Sequence, residues 1–72
     1  MMVHPIQIFL NGMLDSGQRK RTVTALNYFD YYGEKFILIE RRTGFRDVIV
    51  ELSDFDTYED IRQKIENHVA YY

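Results

Sequence analysis

Two uninterrupted apolar runs, Phe36-Ile-Leu-Ile39 and Val48-Ile-Val50, constrain this chain more than anything else in it. Both consist of β-branched or large apolar residues, and each follows a segment in which glycine can reverse the chain, Tyr32-Gly-Glu-Lys35 and Arg42-Thr-Gly-Phe45. Upstream, Thr22, Thr24, Leu26 and Tyr28 alternate with Val23, Ala25, Asn27 and Phe29. The stretch from Thr22 to Leu52 therefore predicts three consecutive strands joined by two tight turns, a β-meander. Phe36 and Leu38 point one way and Ile37 and Ile39 the other, so that strand is apolar on both sides. It suits a central strand, or one whose second face meets another subunit. The last strand sets Val48, Val50 and Leu52 against Asp47, Ile49 and Glu51, which gives it one inner face.

Either side of the meander the signals are shorter. Pro5 fixes an extended start, and Ile6-Gln-Ile-Phe-Leu10 has the β-branched and aromatic content of a further strand, ended by Asn11-Gly12. Asn11 to Gln18 reads as a loop, and Arg19-Lys-Arg21 opens the next strand. After Leu52, Ser53 to Thr57 is a helix-start signal: Asp54, Asp56 or Thr57 can cap, while Glu59 and Asp60 complement the dipole in the first turn. Tyr58, Ile61, Ile65, Val69 and Tyr72 then recur at spacings of three and four, predicting an amphipathic helix to about Tyr71. Asp60 and Lys64 have the spacing of an i to i+4 ion pair.

Seventy-two residues allow one small domain, residues 1–72, with a thin core. Chains of this size usually add disulfides, a metal or self-association, yet there is no cysteine and there are only two histidines, His4 and His68. A homo-oligomer is the remaining route, and a hydrophobic content of 46 % is more than so thin a domain can hide. No charged segment followed by a long apolar run marks a signal peptide, and no apolar run is long enough to span a membrane. With no cysteine, the cytoplasm is the expected location. The net charge of −2 is unevenly spread, +2 over residues 1–50 and −4 over residues 51–72. That balance argues against strong nonspecific nucleic-acid binding and leaves room for a local basic patch.

Nothing in the sequence supplies a nucleophile with a base. Phosphate-binding glycine loops and the common hydrolase and zinc motifs are absent, Ser53 suits a cap, and neither histidine has a visible second ligand or orienting group. Asp54, Asp56, Glu59 and Asp60 lack the alternating oxygens and central glycine of a calcium loop, so they read as capping and solvated charge. No enzyme, cofactor or metal is expected. Binding signals are better: Arg19, Lys20, Arg21, Arg41, Arg42 and Arg46 lie at strand ends, and Tyr28, Phe29, Tyr31, Tyr32 and Phe45 lie near the turns. Cations interleaved with aromatics suit a single-stranded nucleic acid, whose phosphates need charge and whose unstacked bases need flat partners.

Three short features resemble the Sm family, in particular its bacterial Hfq branch. Ile6-Gln-Ile-Phe-Leu-Asn-Gly12 with Gly17 is similar to the family's first strand and its Asn-Gly followed by a glycine five residues on. Phe29-Asp30 before Phe36 to Ile39 resembles the hydrophobic-Asp pair before the third strand, and Phe45-Arg46-Asp47-Val48-Ile49 the second Sm motif. The resemblance implies a small, strongly bent sheet, ring assembly and RNA binding, with Tyr32 stacking a base and Arg46 at a central pore. Asp47 stands where the family has histidine, and a helix follows where a fifth strand closes the family's barrel. Four strands and then a helix is also the plan of the single-strand-binding transcriptional coactivators, which resemble this chain in topology alone.

The expected fold is thus α+β: a four-stranded, strongly bent antiparallel β-meander followed by one C-terminal α-helix, self-associating through the free face or an edge. The expected function is non-enzymatic binding of single-stranded nucleic acid, RNA foremost. Tyr31 and Tyr32 would stack bases while Arg19, Lys20, Arg21, Arg42 and Arg46 neutralise phosphates. The competing expectation is a small regulator or inhibitor of phage or mobile-element type that binds a host protein through its acidic helix and exposed aromatics.

Overall fold

The computed structural model describes residues 2–15 and 22–69. Along the chain the elements are α1 (Pro5–Asp15), β1 (Val23–Tyr31), β2 (Glu34–Arg41), β3 (Val48–Leu52) and α2 (Tyr58–Val69). Three antiparallel strands in the order β1-β2-β3 form one sheet, and a helix stands at each end of the chain. This corrects the expected four strands and one helix: Ile6 to Leu10, taken for a strand, is the body of α1, and the helix continues through Asn11-Gly12.

The reason lies in spacing. Ile6, Phe9, Leu10, Met13 and Leu14 fall on one helical stripe, and Leu10 is buried while the other four pack partly buried against the core. Pro5 occupies the first helical position, where its missing N–H is not needed. His4 caps the helix: its carbonyl accepts from Ile8 N–H at 3.1 Å and its Nδ1 accepts from Ile6 N–H at 3.0 Å. The His4 ring also lies on Tyr28 of β1, with centroids 4.4 Å apart.

The meander itself matches the sequence pattern closely. Tyr31 pairs with Glu34 across a two-residue loop, Tyr32-Gly33, both at positive φ (52° and 81°), as a type I′ hairpin turn requires. Gly33 suits that conformation; Tyr32 is held in it against the usual preference, and Asp30 Oδ1 accepts from Gly33 N–H at 3.1 Å. Between β2 and β3, Gly44 takes φ 100° as the third residue of a turn closed by Phe45 N–H to Arg42 C=O at 3.1 Å. The β1–β2 register slips between Val23 and Ala25, where Thr24 is the extra residue of a bulge.

Thr57 is the N-cap of α2. Its Oγ1 accepts from Asp60 N–H at 3.1 Å and Asp60 Oδ2 accepts from Thr57 N–H at 3.0 Å, a reciprocal capping box. Asp60 is thereby turned away from the expected partner Lys64, which instead pairs with Asp56 Oδ2 at 2.5 Å and reaches Glu51 C=O at 3.3 Å. Ile61, Ile65 and Val69 form the buried stripe of the helix; Tyr58 is half exposed and stacks on Phe9 of α1 at 4.8 Å. Tyr71 and Tyr72, the expected end of this helix, lie outside the described residues.

Leu10 of α1 and Ile61, Ile65 and Val69 of α2 belong to one core cluster with Leu26, Ile37, Ile39, Val50 and Leu52 of the sheet. Both helices therefore cover the same face. Strand alternation sends Phe29, Phe36, Leu38 and Ile49 to the opposite face, where Ile49 is exposed and the other three are half-buried, and where among the described residues neither helix packs. Among those residues no helix is long and apolar enough to cross a membrane.

Candidate nucleic-acid interface

Antiparallel register decides which of the expected binding residues can meet. Val23 pairs with Arg41, so the start of β1, the end of β2 and the β2–β3 turn share one end of the sheet. Tyr31 pairs with Glu34 at the other end, seven residues along β2, roughly 23 Å away at about 3.3 Å per residue. Arg42 and Arg46 thus lie together, whereas Tyr31 and Tyr32 lie at the far end of the sheet. Arg19, Lys20 and Arg21 lie outside the described residues; in the sequence they directly precede Thr22.

The basic end is tied together by hydrogen bonds from two backbone N–H groups. Arg42 N–H donates to Thr22 C=O at 2.9 Å, and Arg41 N–H donates to Asp47 Oδ1 at 2.8 Å. Asp47 thereby helps to hold the turn. The Arg41 guanidinium reaches back to Thr22 Oγ1 through Nε at 3.2 Å and Nη2 at 2.8 Å. Its carbon lies 4.9 Å from the centre of the Phe45 ring, and that of Arg42 lies 5.5 Å from it. Phe45 is 43 % exposed, and its sequence neighbour Arg46 and Arg42 are exposed as well. Each guanidinium lies within about 6 Å of the ring centre and is attracted by the ring quadrupole, which offsets part of their mutual repulsion. A flat, partly open aromatic platform flanked by three cations can stack a base and neutralise neighbouring phosphates.

The far end has the opposite character. Tyr31 and Tyr32 meet edge to face at 4.5 Å, and Tyr32 is 89 % exposed. Around them the charge is acidic or already paired: Asp30 holds the turn, Glu34 is exposed, and Lys35 is bound to Asp54 at 2.6 Å. That contact raises the Lys35 ammonium above the usual lysine range, chiefly through the Asp54 hydrogen bond and then its charge. Phe55, in the loop leading to α2, is 91 % exposed between Asp54 and Asp56. The two tyrosines thus sit in an environment that repels phosphate.

Arg42, Arg46 and Phe45 were all legible in the sequence as a basic and aromatic turn, but base stacking was expected of Tyr31 and Tyr32 rather than of Phe45, which directly follows the turn glycine Gly44. Gln7 gave no signal, because its role depends on the docking of α1. Its Nε2 donates to Leu26 C=O at 2.8 Å and its Oε1 accepts from Tyr28 N–H at 2.7 Å, so one amide plugs the outer edge of β1.

Comparison with protein-family models, curated proteins and solved structures returned no match.

Proposed function

We propose that this chain is a non-enzymatic binding module for single-stranded nucleic acid, RNA foremost, and that it binds at the basic end of the sheet. The observation that supports the reading is the Phe45 ring, held partly open with the Arg41 and Arg42 guanidiniums 4.9 and 5.5 Å from its centre. In this proposal one unstacked base lies on Phe45 and the Arg42 plane, while Arg42 and Arg46 neutralise phosphates on either side. The sequence directly before Thr22 brings three further cations, Arg19, Lys20 and Arg21, close along the chain. Base stacking passes from Tyr31 and Tyr32 to Phe45, because the tyrosines lie roughly 23 Å from the cations. The cysteine-free composition suits work in the cytoplasm.

The test is fluorescence anisotropy of a labelled oligouridylate over a salt series, with a duplex of equal charge as control. Each arginine removed from Arg42 and Arg46 should flatten the plot of log affinity against log salt by about 0.7. Phe45→Ala should cost about 1–3 kcal/mol of affinity with little change in that slope. No binding at low salt, or binding indifferent to all three substitutions, would defeat the proposal.

A further inference from the structure

We propose a second binding surface: the open face of the sheet docks a cationic amphipathic helix supplied by a partner protein. Register places Phe29 opposite Phe36, with stacked rings 5.3 Å apart, and Leu38 opposite Ile49, which is 60 % exposed. Phe29, Phe36 and Leu38 are half-buried, and none of the four belongs to the core cluster that α1 and α2 cover.

On the strands, the charged residues that flank these four side chains on the open face are all acidic. Glu51 stands beside Phe36 in register, Glu40 lies two residues beyond Leu38 on β2, and Glu34 lies two residues before Phe36. Strand alternation puts all three on the open face, and puts no lysine or arginine of β1, β2 or β3 there. Among the described residues none of the three forms an ion pair, although Asp54, Asp56 and Glu59 elsewhere all do. The Glu40 carboxylate accepts a hydrogen bond from Asn27 Nδ2 at 2.6 Å.

That pattern selects the occupant. A second copy stacked on this face would bring its own three glutamates against these, and a nucleic acid would bring phosphates. A partner with an apolar stripe bordered by Lys or Arg satisfies both parts of the surface. Three strands about 4.8 Å apart make a face roughly 10 Å across, the width of one α-helix, and a helix laid on the uncovered side of a sheet completes a common layered architecture.

The probe is a synthetic helical peptide of roughly 18 residues, five turns at 3.6 residues each, with leucines on one face and lysines beside them. It is titrated into the full chain labelled with nitrogen-15. A scrambled peptide of the same composition and an analogue with glutamate for lysine serve as controls. The amphipathic cationic peptide should shift the resonances of Phe29, Phe36, Leu38 and Ile49 saturably, and both controls should bind far more weakly. Ile49→Lys combined with Glu51→Lys should weaken binding about tenfold or more. Both positions are exposed, and a circular-dichroism melt of the double variant checks that the fold persists. Four results would each overturn the inference: a footprint on α2 or on the Phe45 turn; equal binding of a control peptide; affinity unchanged in the double variant; or a light-scattering dimer that Ile49→Lys dissociates.

Discussion

Removing the Gln7 amide should uncover the edge of β1 and loosen α1 from the sheet together. All the polar groups of this side chain are engaged: Nε2 donates to Leu26 C=O at 2.8 Å and to Asn11 Oδ1 at 3.0 Å, and Oε1 accepts from Tyr28 N–H at 2.7 Å. The two bonds to β1 are partly buried, so each is worth about 0.5–1.5 kcal/mol net, and Gln7→Ala should destabilise the fold by roughly 1–3 kcal/mol. In a domain of this size that lowers Tm by roughly 5–20 °C. Gln7→Glu is the sharper variant, since it keeps an acceptor for Tyr28 N–H but sets a carboxylate against the Leu26 carbonyl. Protonation would restore a donor there, so the folded state raises the pKa of the new side chain above the ordinary value of about 4.3. The stability of Gln7→Glu relative to wild type should then recover as pH falls through that raised value, and be lost again as pH rises. Urea midpoints at several pH values, with hydrogen exchange at the Tyr28 amide, measure both effects. A Gln7→Ala midpoint shifted by less than about 0.3 kcal/mol, with Tyr28 exchange unchanged, would refute the edge-plug account.

Three further outcomes follow from local geometry. Gly12 lies inside α1 with no atom near where a Cβ would stand, so Gly12→Ala should stabilise by about 0.5–1 kcal/mol in a thermal melt; destabilisation would mean a turn at Asn11-Gly12 instead. Tyr32 has φ 52°, so Tyr32→Asn should raise stability by about 0.5–1 kcal/mol by urea titration, and a loss would show that the Tyr31 contact outweighs the backbone strain. The Asp56 carboxyl is held below the ordinary carboxylate range by the Lys64 hydrogen bond first and Ser53 N–H second. Its stabilisation is present above the unfolded value of about 3.9 and lost as pH falls through the depressed folded one. Asp56→Asn should therefore be less stable than wild type at pH 7, by about 1 kcal/mol, with the gap closing in acid; a constant gap would exclude the linkage.

The meander was legible because its signals are local. Phe36 to Ile39 and Val48 to Val50 are strands in any context that gives them neighbours, and glycine marks both turns. The segment Ile6 to Leu10 misled because β-branched content and Asn11-Gly12 outweighed a period that only Met13 and Leu14 complete. Pro5 was ambiguous in the same way, serving equally as an extended start or a first helical residue. The candidate site is divided for a different reason. Tyr31, Tyr32, Arg42 and Arg46 are near in sequence, but successive turns of a meander lie at opposite ends of the sheet. That separation follows from strand length alone. What no local signal carries is the docking of Gln7 on β1, which needs α1 in place, and the choice of Asp56 over Asp60 by Lys64, which depends on the loop before α2.

The two-residue loop Tyr32-Gly33 also orders events in time. Phe29 and Phe36 meet across a loop that is nearly the shortest a chain can close, whereas Gln7 must find Tyr28 from 21 residues away. Short closures happen on a scale of microseconds and lose little chain entropy, so the β1–β2 hairpin is the natural nucleus and α1 docks later. Substitutions in the hairpin should then slow folding, and Gln7→Ala should act mainly by speeding unfolding. On this view α1 sets how long the native state lasts, while the hairpin sets how fast it forms.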